Sequence, residues 1–289
     1  MYREKRIALV SQGGGTRGAF TAGVQDVLMR EGIRFPYIIG TSAGALNNVD
    51  YLSGDIGRSK VVTTELVADK KFLSLHNLIH KGGLFDFQYL GVEIPKTKLP
   101  FNDKKFDEDP RTFIVAATSL ETGRVTYFQK GVTPDIWPAI YASASLPLLS
   151  KPVEVEGQLY LDGGPTAAVP WRRPVADGVE KLVVILTRPV DYRKKNKRSK
   201  ALLAAAKSLY RNYPNFLAAY LRYPLSYNKD MDDLLAYAKE GKAFLIAPKE
   251  SLGVSNHESS KKKLLLVYEK GVERMEELLP QLLEFLRNE

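Results

Sequence analysis

Two stretches decide the fold: Arg6-Ile7-Ala8-Leu9-Val10-Ser11-Gln12-Gly13-Gly14-Gly15-Thr16-Arg17-Gly18 and, further on, Tyr37-Ile38-Ile39-Gly40-Thr41-Ser42-Ala43-Gly44. Arg6 to Val10 reads as a buried strand. Arg17 to Glu31 carries Phe20, Val24, Val27 and Leu28 at helical spacing before Gly32 stops it. Tyr37 to Gly40 reads as a second strand and Ala43 to Leu52 as a second helix. A strand–helix–strand unit of this length implies a parallel pair with a right-handed crossover, so both strands end on the same edge of the sheet.

Working outward, Thr112 to Ala117 and Lys181 to Thr187 are continuous apolar runs, as expected of strands covered by helices on both faces. Val125 to Phe128 is a shorter strand. Val153 to Leu161 is a hairpin turning at Glu156-Gly157, which makes the sheet mixed at its margin. From Asp191 the chain reads as helices over Lys200–Asn212, Phe216–Tyr223, Lys229–Glu240 and Ser259–Arg287, with one strand at Ala243–Pro248. No repeat or flexible linker separates independent units. The expected organisation is a core over residues 1–190 and a helical extension over 191–289 packed on the same domain.

Composition narrows the chemistry. The 289 residues are 44% apolar and include no cysteine, which excludes disulfides, thiolate nucleophiles and Cys-ligated metal, and suits a reducing compartment. The stretch ahead of the first strand is too short and wrongly flanked for a signal peptide, and no apolar run reaches the length of a bilayer span. The expectation is a cytoplasmic protein, or one peripheral at the inner membrane surface. The formal charge of +9 is compatible with nucleic acid or with anionic lipid. The cations follow no recognisable nucleic-acid reading motif, so no nucleic-acid partner is expected.

Gly40-Thr41-Ser42-Ala43-Gly44 is a G-x-S-x-G between a strand and a helix, the context in which this pattern makes a nucleophile elbow. A small-residue turn capped by serine would give the same letters. Gly13-Gly14-Gly15-Thr16-Arg17-Gly18 lies in the turn after the first strand, where backbone amides opening onto a helix attract negative charge. The crossover sets this turn beside Ser42, where an oxyanion would form. The same glycines satisfy G-x-G-x-x-G, but a dinucleotide site wants an acidic residue about 20 residues on, at the end of the second strand. Ser42 stands there instead.

A serine nucleophile needs a base. His76 and His80 share one helical face without the acidic residue of a metal-binding H-E-x-x-H. His257 lies in a polar loop, and Ser42, Asp162 and His257 follow the chain order of a Ser-Asp-His triad, although only one strand precedes the elbow. Asp162-Gly163-Gly164 puts a carboxylate just past a strand, yet on these residues alone an Asp-Gly turn is sufficient explanation.

Taken together, the glycine turn, the G-x-S-x-G, the Asp162-Gly163-Gly164 turn and Ala142-Ser143-Ala144-Ser145-Leu146-Pro147 resemble the patatin-like phospholipases. Ala45-Leu46-Asn47, Tyr51-Leu52-Ser53-Gly54, Gly83-Leu84-Phe85-Asp86 and Glu121-Thr122-Gly123 extend the resemblance to a bacterial subgroup. It implies a three-layer α/β/α sandwich with a mostly parallel sheet, and a Ser42–Asp162 dyad without histidine. It also implies an oxyanion hole from Gly13, Gly14, Gly15, Thr16, Arg17 and Gly18, hydrolysis of lipid acyl esters, and no metal or organic cofactor. Many members carry an acidic residue where this chain has Gln12. A descendant that binds lipid without cleaving it is the alternative. Arg17 is either a charge orienting the glycine turn or a group attracting an anionic head group.

Residues 188–227 combine a basic cluster (Arg193, Lys194, Lys195, Lys197, Arg198, Lys200) with an apolar stripe from Leu202 to Leu221. Such a segment either lies on anionic lipid or covers the core beside a solvated charge run.

Overall fold

The structure is a computed structural model describing residues 7–80 and 99–287, the side chains of residues 68, 75, 78 and 79 aside, with Gly83, Asp86, Tyr89, Glu93 and Ile94 between them. Met1 to Arg6, and Leu84 and Phe85 of the Gly83-to-Asp86 motif, lie outside the described residues.

The first apolar runs form parallel strands β1 (Ile7–Ser11) and β2 (Tyr37–Thr41), paired Val10 with Ile39 and Ser11 with Gly40. Between them runs the Gly18–Arg30 helix, entered through a short 3-10 turn at Gly15–Arg17. Then follow β3 (Thr112–Ser119), β4 (Val125–Gln129), the hairpin β5 (Val153–Val155) and β6 (Gln158–Asp162), β7 (Lys181–Ile185) and β8 (Ala243–Ile246). The hairpin turns at Glu156 and Gly157, both with positive φ. The strand order is β5-β6-β3-β2-β1-β7-β8, with β4 also on β3. β1, β2, β3, β7 and β8 are parallel, and β4, β5 and β6 make the antiparallel margin.

Alternate residues of the central strands enter two separate cores, so both sheet faces are buried. Leu9, Ile38, Val115 and Val183 pack on one side, with the Gly18–Arg30 and Lys261–Arg287 helices. Val10, Ile39, Ile114 and Val184 pack on the other, with Trp171, Met231 and Leu234. This is a three-layer α/β/α sandwich whose C-terminal helices cover both faces. The two helices of the first core cross at glycines: a Cβ on Gly271 would lie 2.2 Å from the Phe20 carbonyl oxygen, and one on Gly23 2.2 Å from that of Tyr268.

The two helices expected over Phe216–Tyr223 and Lys229–Glu240 are one, Pro214–Lys239, which runs through Pro224. Proline cannot donate to the carbonyl four residues earlier. The Arg198 guanidinium supplies that bond, donating to Tyr220 O at 2.7 Å and to Leu221 O at 2.9 Å. The stripe after the basic cluster divides: Ala206, Tyr210 and Phe216 pack with Leu120 and Leu161, whereas Leu202 and Leu209 are exposed. Among the described residues, no helix is long and apolar enough to cross a membrane.

Candidate active site

β3 is the ruler that places the site. It pairs with β2 as far as Ala116 opposite Thr41, and with β6 from Ala117 opposite Asp162. Because β4 occupies β3 from Ile114 to Thr118, β2 and β6 must share the opposite edge, end to end. Ser42, one residue past β2, therefore stands beside Asp162 at the end of β6.

Ser42 holds φ 56° and ψ −127°, a strained conformation for a residue with a Cβ, of the kind that concentrates at functional sites. The turn is kept by its surroundings. The Ser42 amide donates to Ser143 Oγ at 2.8 Å, and Ser143 Oγ donates to Ala116 O at 2.6 Å. Gly44 permits the approach of β1, since a Cβ there would lie 2.3 Å from Ser11 O. The block Ala142 to Pro147 thus has a geometric role, because Asp162 N also donates to Ser145 O at 2.8 Å.

Asp162 is 4% exposed. Its Oδ1 accepts the Gly164 amide at 2.6 Å, while Oδ2 is sealed from solvent without a partner of full hydrogen-bond geometry among the described residues. Burial pushes its pKa up to about 6. The Ser42 hydroxyl, then the Gly164 amide, then the Lys194 charge oppose that rise.

An accounting of amides narrows the glycine turn. Gly13 N donates to Ala168 O, Thr16 N to Asn256 O, Arg17 N to Gly14 O, and Gly18 N back into the 3-10 turn. Among the described residues, Gly14 and Gly15 alone in this turn keep amides without a protein acceptor. Both polar atoms of the Gln12 side chain have partners of their own: its Oε1 accepts Thr187 N at 2.6 Å and its Nε2 donates to Tyr227 Oη at 3.1 Å.

Ser42 borders two cavities. One is an apolar slot lined by Leu46, Val49, Val62, Phe101, Trp137 and Leu146. The other, of about 520 Å³, contains Gly14, Gly15 and Asp162 and is walled by Arg17, Arg188, Lys194, Tyr223 and Tyr227. Lys194 Nζ lies over the rings of Tyr223 and Tyr227, 4.5 and 4.9 Å from their centres. Burial, aided by Arg17 and Arg188, lowers its pKa to about 8. In the sequence Ser143 and Ser145 stand out only as letters of the Ala142-to-Pro147 block, and Arg188, Lys194 and Tyr223 only within the 188–227 segment; nothing there points to their place beside Ser42.

His257 is exposed at the mouth of the second cavity, and its amide donates to Ser255 Oγ. Among the described residues, no side-chain hydrogen bond links it to Ser42 or Asp162. Its loop caps the glycine turn instead: Thr16 Oγ1 donates to Ser255 O at 2.9 Å, and Arg17 donates to Asn256 Oδ1. His76 and His80 stack on each other with ring centres 4.3 Å apart. No group of three metal-ligating side chains occurs among the described residues.

Comparison with known proteins bears on this site. Residues 9–175 match the profile of the patatin-like phospholipases, and residues 213–287 match that of a domain of unknown function (DUF6363). The uncharacterised protein YjjU of Escherichia coli is 33% identical over 195 residues, 65% of this chain and 54% of that protein. An uncharacterised NTE family protein of Mycobacterium tuberculosis is 28% identical over 55% of this chain and 26% of its own length. The lysophospholipase nte1 of Emericella nidulans is 30% identical over 55% of this chain and 10% of its own. The chain thus spans about half of YjjU and smaller parts of the others. The crystal structure of VipD from Legionella pneumophila superposes with a TM-score of 0.49 at 13% identity, over 96% of this chain and 67% of that one.

Proposed function

Because the chain belongs to the patatin-like phospholipase family, we propose that it is a serine acyl hydrolase cleaving lipid acyl esters through a dyad of Ser42 and Asp162. The observation that carries this reading is the end-to-end meeting of β2 and β6 on β3, which sets a strained serine beside a buried carboxylate with one oxygen unspent.

In the proposed reaction the ester carbonyl sits over Ser42 with its acyl chain in the apolar slot. Ser42 Oγ attacks the carbonyl carbon while its proton passes to Asp162 Oδ2. The resulting oxyanion takes the amides of Gly14 and Gly15, donors that need no reorganisation during the reaction. Collapse expels the alcohol, which takes the proton from Asp162, and leaves an acyl-enzyme. Water then repeats the sequence, with Asp162 as base, and frees the fatty acid. A carboxyl raised to about 6 is a better base than an exposed one and is still ionised at neutral pH.

The test is a panel of short- and long-chain esters with three variants. Ser42→Ala and Asp162→Asn are expected to abolish hydrolysis, and His257→Ala to keep most of it. Loss of activity in folded His257→Ala would replace the dyad by a triad.

Membrane contact through residues 188–227 belongs to the same proposal. The exposed Leu202 and Leu209, which share the Lys200–Leu209 helix with Lys200 and Lys207, support it, since apolar side chains among cations suit an anionic bilayer surface.

A further inference from the structure

We propose that the C-terminal segment serves the catalytic centre: its loop from Ser255 to Glu258 holds the glycine turn, and Asn256 is a positioning residue for the Gly14 and Gly15 amides. The clamp is a matter of geometry, whereas its catalytic consequence rests on the function proposed above.

The loop lies outside the patatin-like match, which ends at residue 175, and inside residues 213–287, the match to a domain of unknown function. It nonetheless grips the turn after β1, across a separation of 239 residues along the chain. Thr16 N donates to Asn256 O at 3.0 Å. Thr16 Oγ1 donates to Ser255 O at 2.9 Å and accepts Glu258 N at 3.2 Å, and the Arg17 guanidinium donates to Asn256 Oδ1. Gly15, at φ 56°, lies so close to the loop that a Cβ on it would stand 2.2 Å from Asn256 O.

These bonds fix both peptide planes that flank Gly15. In a planar trans peptide the carbonyl and the following N–H point in opposite directions. Gly14 O accepts Arg17 N at 3.3 Å, so the Gly15 N–H is directed the other way. The next plane is held by Thr16 N on Asn256 O. Asn256 thus controls one plane through its carbonyl and the other through its side chain on Arg17. The loop is itself anchored at both ends. Leu252 and Val254 are buried in the first core, and the Glu258 carboxylate accepts Ser260 N at 3.0 Å at the start of the Lys261–Arg287 helix.

Arg17 is 4% exposed, and among the described residues Asn256 Oδ1 is the one hydrogen-bond acceptor of its guanidinium. Its Nε has none. Removing that acceptor leaves a desolvated, unpaired cation, which relaxes by moving. Arg17 then carries with it the amide that orients Gly14 O, and so the Gly15 N–H. Oxyanion donors act by being in place beforehand, and a misplacement of about 1 Å can cost about 100-fold in rate.

Steady-state kinetics of the full chain on a soluble short-chain ester read the effect. Asn256→Ala should lower kcat about 10- to 100-fold with KM nearly unchanged, because the amides meet the oxyanion and not the bound ester. Asn256→Asp keeps an acceptor for Arg17 and should recover most of the rate. Arg17→Met should match Asn256→Ala, and the double variant should be no worse than either, since both remove the same contact. Thr16→Val, which loosens the loop at a different atom, should also lower kcat. Wild-type kcat in folded Asn256→Ala, a loss confined to KM, a loss that Asn256→Asp does not recover, or additive losses in the double variant overturns the proposal. Should Asn256→Ala not fold, Thr16→Val decides, and an unchanged kcat there overturns it.

Hydrogen exchange resolved to single amides tests the clamp without chemistry. Thr16 N should exchange slowly in the wild type and at least about tenfold faster in Asn256→Ala. A wild type that cleaves no ester but shows this pattern refutes the hydrolase and leaves the clamp standing. Equal exchange in the two proteins refutes the clamp.

Discussion

Replacing Asp162 by asparagine should remove the proposed base and, at neutral pH, make the folded protein more stable. The carboxyl is 4% exposed, and burial moves its pKa from 3.8 to about 6. An acid whose pKa is raised on folding holds its proton more firmly in the native state. Its favourable contribution is therefore complete below the unfolded pKa and is lost as pH rises through the folded one. At about 1.4 kcal/mol for each pH unit of displacement, the ionised side chain costs the fold about 3 kcal/mol above pH 7. Asparagine keeps an oxygen for the Gly164 amide and offers its own N–H to the Ser42 hydroxyl, so little is lost in exchange. Urea unfolding of wild type and Asp162→Asn at steps from acid to mildly alkaline pH reads the effect, because the difference cancels every other titrating group. Relative to its value near pH 4, that difference should grow in the variant's favour by about 2.5 kcal/mol by pH 8. A difference that does not change with pH, or that turns towards wild type on raising it, would refute the argument. A group that destabilises the fold where the protein works is the behaviour expected of a functional side chain.

Three further outcomes follow from the same geometry. Since the base must be ionised in the free enzyme, kcat/KM for ester hydrolysis should fall roughly tenfold per pH unit below about 6 and level off above it. The midpoint should hardly move with temperature, as for a carboxyl and unlike an imidazole. Gly271→Ala should destabilise the protein by about 1–3 kcal/mol in thermal or urea unfolding, because the new methyl would meet the Phe20 carbonyl at the helix crossing. Co-sedimentation with anionic vesicles should occur at low salt and weaken as salt rises, and Leu209→Ser should reduce it. Failure to bind at any salt concentration removes the membrane surface from the account.

What could be read in the sequence is local. The strand, glycine turn, helix and elbow from Ile7 to Ser53 are formed by neighbours along the chain, and apolar runs covered on both faces betray the parallel strands. The Ile136–Ala144 helix is announced in the sequence only by its cap, Asp135, which accepts Trp137 N at 3.0 Å. Non-local relations were not legible. The amides of Arg17 and Gly18 are occupied within the glycine turn itself, but those of Gly13 and Thr16 are taken by Ala168 and Asn256, from distant segments. Asp162 gains its meaning from its register on β3, not from the turn that follows it. Pro224 reads as a helix break until Arg198 satisfies the freed carbonyl. The run from Arg193 to Lys200 looks uniformly solvated, yet Asn228 and two tyrosines separate Lys194 from its neighbours.

The most direct test of the central claim is to treat the folded protein with a serine-directed fluorophosphonate and map the adduct by peptide mass spectrometry. The account predicts one adduct, on Ser42, slowed in Asp162→Asn and absent in Ser42→Ala. Folded protein that takes no label, or takes it on another serine, would contradict it.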